Sequence, residues 1–159
     1  MKTIPLSQRK VTIVDDGDFE ELSKYKWHAH KDHSGRFYAV RNVRRSDGGW
    51  TTQPMHRVIL GETDPKIQID HISGDGLDNR RSNLRVATHS QNMRNRGKTK
   101  LNTSGYKGVT CNRNKWQTKI HHQGKTIHGG RFDTPIAAAA FYNWMALRFH
   151  GPYARLNEV

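Results

Sequence analysis

QIDHISGDGLDNRRSNLRV, residues 68–86, gathers a carboxylate, an imidazole and several amides into one short stretch. Its first part alternates, with Ile67 and Ile69 on one face of a strand over residues 66–70. Gly74, Asp75, Gly76, Asp78 and Asn79 supply a loop. Residues 84–87 (LRVA) read as a second short strand. Thr88 or Ser90 then caps a helix that starts near Gln91. The order strand, loop, strand, helix turns the end of the first strand toward the start of the helix.

Asp70 and Asn92 can then bring two oxygen ligands to one point, as a hard divalent ion wants, and one carboxylate with one amide would leave such a site open to substrate phosphate. His71 stands next to Asp70 and titrates near neutrality, so it can take a proton from water. Asn83 is expected to hydrogen-bond the backbone or ring of His71. Arg80, Arg81 and Arg85 either clamp phosphates or sit on a wet face. Arg94 and Arg96, on or after the helix, suit backbone contacts. His89 reads as a solvated histidine.

With residues 55–61, MHRVILG, ahead of this stretch and ATHSQNMRNR, residues 87–96, behind it, the chain resembles the HNH homing endonucleases of phage and mobile elements. The resemblance spans roughly residues 55–96. It implies a ββα-metal fold, with His71 as general base and Asp70 and Asn92 as metal ligands. It also implies Asn83 as the middle Asn that orients the base, and one Mg2+ or Mn2+ per active site. His56-Arg57 matches the family's His-Arg pair, with packing or a phosphate contact as its role. The Cys pairs of zinc-stapled members are missing, so no structural zinc is expected.

The C-terminal third has a different pattern. Residues 106–112, 115–122 and 125–132 are three strand candidates joined at Arg113-Asn114 and Gln123-Gly124. Thr134 is a good N-cap and Pro135 suits the first helical position. Ala137, Ala140, Phe141 and Trp144 make an apolar stripe on the helix, Phe132 and Trp144 read as core aromatics, and Gly151-Pro152 ends the helix. On the middle strand Trp116, Thr118 and Ile120 alternate with Gln117, Lys119 and His121, so one face packs on the helix and the other meets DNA. Arg113, Lys115, Lys119 and Lys125 are expected at phosphates, with Asn112, Gln117 and His121 at base edges.

SGYKGVTCNRNKWQTKIHHQGKTIHGGRFDTPIAAAAFYNWMALRFHGPYARLN, residues 104–157, resembles the plant ethylene-response-factor (APETALA-type) DNA-binding domain. That implies a β-sheet reader, with Trp116 and His128 also at the DNA. Thr110, His121 and Thr126 stand where the family has DNA-reading arginines, and His128 where it has a Trp, so its target preference does not carry over.

Composition agrees with a polyanion partner. The chain has 159 residues with 27 Lys/Arg against 14 Asp/Glu, a formal charge of +13. Residues 104–159 hold 8 basic and 2 acidic residues, the most basic third. Mean hydropathy is −0.91, which favours small cores over one large one. No apolar run is long enough to span a membrane, no secretory leader is visible at the N-terminus, and the single Cys111 cannot form an internal disulfide.

The expected architecture is α+β: a β-rich segment (1–54) of no assigned role, a ββα-metal core (55–97), a linker (98–103) and a three-stranded antiparallel sheet packed on one helix (104–159). Strands are expected at VTIV and at residues 26–31, 36–44 and from 50 onward, with a helical turn over 55–60 that Gly61 would stop, and a short helix after VTIV capped by Asp15 or Asp16. The expected function is metal-dependent, homing-type hydrolysis of double-stranded DNA. No membrane or small-molecule cofactor is expected, and the protein should be a monomer or weak dimer in the cytoplasm of a bacterial host. A non-catalytic DNA-binding regulator and an RNA-directed nuclease are the alternatives. Few exposed aromatic platforms are expected, which speaks against single-strand stacking.

Overall fold

VTIV forms a strand that buries Thr12 and Val14 and exposes Val11. In the computed structural model, which describes residues 1–159, this strand is β2 (Val11–Val14). It pairs antiparallel with β1 (Lys2–Pro5), an element the sequence reading leaves unassigned. The chain forms two compact units, Met1–Thr88 and His89–Val159. No helix is long and apolar enough to cross a membrane.

In the first unit, α1 (Asp16–Ser23) follows β2. Asp15 is its N-cap residue by position, but its carboxylate accepts instead from the Arg81 amide at 2.8 Å. β3 (His28–Lys31), β4 (Phe37–Arg44) and β5 (Trp50–Pro54) make an antiparallel sheet in that order. α2 (Met55–Leu60) stops at Gly61, whose φ of 67° is the left-handed turn a helix end needs. β6 (Gln68–His71), which begins two residues after the expected strand over 66–70 and takes in His71, pairs antiparallel with β7 (Leu84–Ala87), with Asp70 opposite Arg85 and His71 opposite Leu84.

The loop between β6 and β7 docks on β2. Ile13 N–H donates to the Leu77 carbonyl at 2.9 Å, and Asn79 N–H donates to the Ile13 carbonyl at 2.8 Å. Gly76 permits a second close approach: a Cβ there would lie 2.4 Å from the Phe37 carbonyl oxygen and 2.6 Å from the Tyr38 ring. Ile4, Val14, Trp27, Met55, Ile69 and Leu84 belong to one core. The N-terminal strands and the β6–β7 pair are therefore held by the same buried apolar surface, where truncating one large side chain to Ala costs about 2–5 kcal/mol.

The second unit starts with α3 (His89–Asn95). β8 (Val109–Asn112), β9 (Lys115–His122) and β10 (Lys125–Phe132) form an antiparallel sheet in the order β10–β9–β8. Arg113 and Asn114 have φ of 50° and 59°, and Gln123 and Gly124 have 49° and 75°, the left-handed pairs of tight hairpins. α4 (Pro135–His150) packs on one face of this sheet, and Thr134 Oγ1 accepts from the Ala137 amide at 3.2 Å. The tail is latched by Asn157, which bonds to both Lys107 and Asn143.

The expected stripe on α4 is displaced by one residue. Ala138, Ala139, Tyr142, Met145 and Ala146 are buried, whereas Ala137, Ala140 and Trp144 face solvent. Trp144 is 58% exposed and is not a core aromatic. Phe132 does pack against the core, as does Trp116.

Candidate active site

β6 ends in Asp70 and His71, both buried at 5% exposure. Adjacent strand residues point to opposite faces, so the two side chains have different neighbours. Asp70 faces its cross-strand partner Arg85, whose Nε and Nη2 donate to Oδ2 at 2.9 and 2.7 Å. A buried carboxylate needs such compensation, since desolvating a lone charge is costly. Arg85 is thus drawn in beside Asp70, its side chain only 16% exposed, rather than standing on a wet face.

His71 Nε2 lies 3.1 Å from Asn79 Oδ1. Asn79 is fully buried, and its Nδ2 donates to Thr12 Oγ1 at 2.8 Å. Thr12, also fully buried, donates its hydroxyl to the Leu77 carbonyl at 2.7 Å. The direction of each bond follows. A carbonyl only accepts, so the single Thr12 hydrogen goes to Leu77, and Thr12 must accept from the amide of Asn79. Asn79 therefore turns its oxygen to His71, and Nε2 must carry the hydrogen of that bond. In the neutral ring, Nδ1 is left with its lone pair. β2, far away in sequence, thereby selects the tautomer of His71.

Burial pushes the His71 imidazole below its ordinary value of 6.5, outweighing upward pulls from Asn79, Asp70, Asp75 and Asp78. The ring is neutral at neutral pH and able to accept a proton. Two aromatic groups box it in. The His56 ring on α2 meets it edge-on at 5.0 Å between centroids, and the Tyr38 ring lies 5.8 Å away. Burial, followed by the charge of a protonated His71, lowers His56 to about 3. His56 is a neutral wall. Its neighbour Arg57 donates to the Ile67 carbonyl at 2.9 Å and to the Asp64 carbonyl, so it ties the 64–67 loop to α2.

Asn83 has a different part from the one expected. Its Oδ1 accepts from the Ser73 amide and its Nδ2 donates to the Asp78 carbonyl, both at 2.8 Å. It staples the two arms of the loop, and the side chain that meets the imidazole is Asn79. In the sequence Asn79 is one of several loop residues, with no spacing that marks it as a partner of His71. Arg80 forms a two-pronged pair with Asp78, and Arg81 forms one with Asp18 on α1.

In the second unit, Asn92 and Arg94 lie on α3, and Arg96 lies just beyond it. Arg113 occupies the β8–β9 turn, and Lys115 pairs with Asp133. Lys119 stands opposite His128, and His121 opposite Thr126, all exposed on the sheet face away from α4. Lys125 is exposed at the start of β10. Arg131, opposite Gln117, adds a cation to the same sheet that the sequence reading missed, because the two glycines before it obscure the strand alternation.

The HNH endonuclease family model matches residues 55–94. The chain is 30% identical over 138 residues to an uncharacterized HNH endonuclease of Acanthamoeba polyphaga mimivirus, covering 87% of this chain and 70% of that protein. It is 33% identical over 91 residues to protein 3.8 of Escherichia phage T7, covering 56% of this chain and 74% of that protein. A segment of 59 residues is 41% identical to an AP2-like ethylene-responsive transcription factor of Arabidopsis thaliana, covering 36% of this chain and 12% of the plant protein. No solved structure gives a significant match.

Proposed function

The chain belongs to the HNH endonuclease family, and on that premise we propose that it is a metal-dependent, homing-type endonuclease that hydrolyses double-stranded DNA with His71 as general base. The observation that carries this reading is the neutral, buried imidazole whose Nε2–H is committed to Asn79. Its Nδ1 is the proton acceptor. Nδ1 takes a proton from a water molecule as the water oxygen attacks phosphorus. The bond from phosphorus to the leaving sugar oxygen breaks, and that oxygen is protonated from solvent. Tyr38 and His56 hold the ring against rotation, and Asn83 keeps the loop closed beneath it.

Asp70 suits a hard divalent ion in kind: it is a buried carboxylate, and Arg85 covers one of its oxygens. The sequence motif assigns Asn92 as the companion amide ligand. A bound Mg2+ or Mn2+ would neutralise charge on the scissile phosphate and the leaving oxygen. We assign the β8–β10 sheet, as an AP2-like module, the task of holding the duplex. Lys119, His121 and His128 form its DNA-facing row, flanked by Arg113, Lys115, Lys125 and Arg131. The basic excess of residues 104–159 supports this.

Conversion of supercoiled plasmid, with and without Mg2+ or Mn2+, tests the reading. His71→Ala is expected to abolish cutting while leaving duplex affinity intact. A variant that still cuts at the wild-type rate removes His71 as the base.

A further inference from the structure

The first unit contains a cleft of about 1000 Å³ that nothing in the nuclease chemistry uses. Phe19, Tyr25, Trp27 and Trp50 line it, with Lys26 and His28, and no Asp or Glu does. Tyr25 is 41% exposed and Trp50 66% exposed, contrary to the expectation of few aromatic platforms. Each of the four rings carries a cation. Lys2 Nζ lies 4.6 Å from the Phe19 centroid. The Arg41 guanidinium lies 3.7 Å from the Tyr25 centroid and 5.4 Å from that of Trp27, and Arg44 lies 5.8 Å from Trp50. Arg41 is further pinned by its Nε donating to Gln53 at 2.9 Å. Glu21, near Tyr25, is already committed to Lys24 and the Tyr25 hydroxyl.

We propose that this cleft binds unpaired DNA, with nucleobases stacked on Trp50 and Tyr25 and phosphates held by Lys26, Arg41 and Arg44. A nucleotide joins a flat apolar ring to an anion, and the cleft is lined by rings and Lys26, with Lys2, Arg41 and Arg44 set against those rings. That is the pattern of sequence-tolerant single-strand tracks. Its volume falls in the range, roughly 300–1,000 Å³, of pockets that enclose a small ligand. A duplex keeps its base faces stacked inside and cannot offer them to Trp50. An apolar peptide or a second copy of the chain would bury the rings but would leave the cations without anions. The inference goes beyond the nuclease reading and does not depend on it, because binding needs neither His71 nor a metal.

The test uses the full chain in EDTA, with anisotropy of fluorescein-labelled oligothymidylate, oligouridylate and a duplex. Trp50→Ala and Tyr25→Ala alter exposed side chains, and circular dichroism checks that they fold. Each is expected to weaken oligothymidylate binding about 5- to 150-fold, the range for loss of one base–aromatic stack, with duplex affinity unchanged. Trp50→Phe, which keeps a stacking face, is expected to retain most of the affinity. Wild-type oligothymidylate affinity in Trp50→Ala overturns the proposal, as does an equal loss on duplex. Tighter binding of oligouridylate than of oligothymidylate overturns the assignment to DNA. A wild-type dimer that Trp50→Ala converts to monomer, seen by sedimentation, assigns the cleft to a second copy instead.

Discussion

Replacing Thr12 with Val tests the hydrogen-bond relay behind His71 most directly. The change keeps shape and volume at a fully buried position and removes one hydroxyl. The Asn79 amide nitrogen loses its partner, whereas the Leu77 carbonyl gives up one of two donors and keeps the Ile13 amide. Leaving a buried polar group unpaired costs about 1–3 kcal/mol, so the variant should lose roughly that much stability, less if the loop relaxes or admits water. The effect on catalysis has a separate cause. Without Thr12 to receive Nδ2, nothing fixes the Asn79 amide, and its flipped form presents N–H to His71. That form selects the ring with hydrogen on Nδ1, the atom needed as base. Loss of one ordinary hydrogen-bond preference, about 0.5–1.5 kcal/mol, corresponds to a fall in kcat of about 2- to 13-fold. Thr12→Ser keeps the hydroxyl and should preserve most of the rate. The assays are single-turnover plasmid cleavage at saturating DNA and urea unfolding of each variant. If Thr12→Val folds less stably yet cleaves as fast as wild type, Thr12 is structural and the tautomer argument fails.

Two further outcomes follow from the same site. His56 is lowered to about 3 from an ordinary value of 6.5, so the unfolded chain binds its proton first as pH falls. Stability should therefore be full above about 6.5 and decline as pH drops toward about 3, by up to roughly 4–5 kcal/mol across the window. The urea midpoint against pH measures this, and a His56→Phe variant with an equally steep decline would contradict the assignment. Arg85→Ala leaves the Asp70 carboxylate buried without its guanidinium, at a cost on the order of 3–5 kcal/mol. If Asp70 holds a divalent ion, Mg2+ should raise the thermal midpoint of this variant more than that of wild type; equal shifts would deny Asp70 that role.

The elements written in local spacing were legible without coordinates. β9 alternates, tight turn pairs flank it on both sides and open β10, and Thr134-Pro135 with Gly151 brackets α4. Asp70 and His71 stood out because a carboxylate and an imidazole at a strand end are chemically conspicuous. The buried face of α4 was not legible, because a run of four alanines offers almost no contrast between sides. The facing sheet chose Ala138 and Ala139 over Ala137 and Ala140.

The partners of His71 were beyond the sequence for a deeper reason. Asn79 and Thr12 are 67 residues apart, and no periodicity links them. Only the docking of the loop on β2 makes them neighbours. Asn83, which motif spacing favours, is held instead by Ser73 and Asp78. The cleft of ring–cation pairs likewise draws on β1, α1 and the β3–β5 sheet, and only their packing brings Trp50 and Tyr25 to one opening. Sequence by itself determined which chemical groups this protein carries and which short elements present them. Tertiary structure decided which hydrogen each group gives and to whom, because burial and hydrogen-bond direction are set by contacts between segments that the chain order keeps apart.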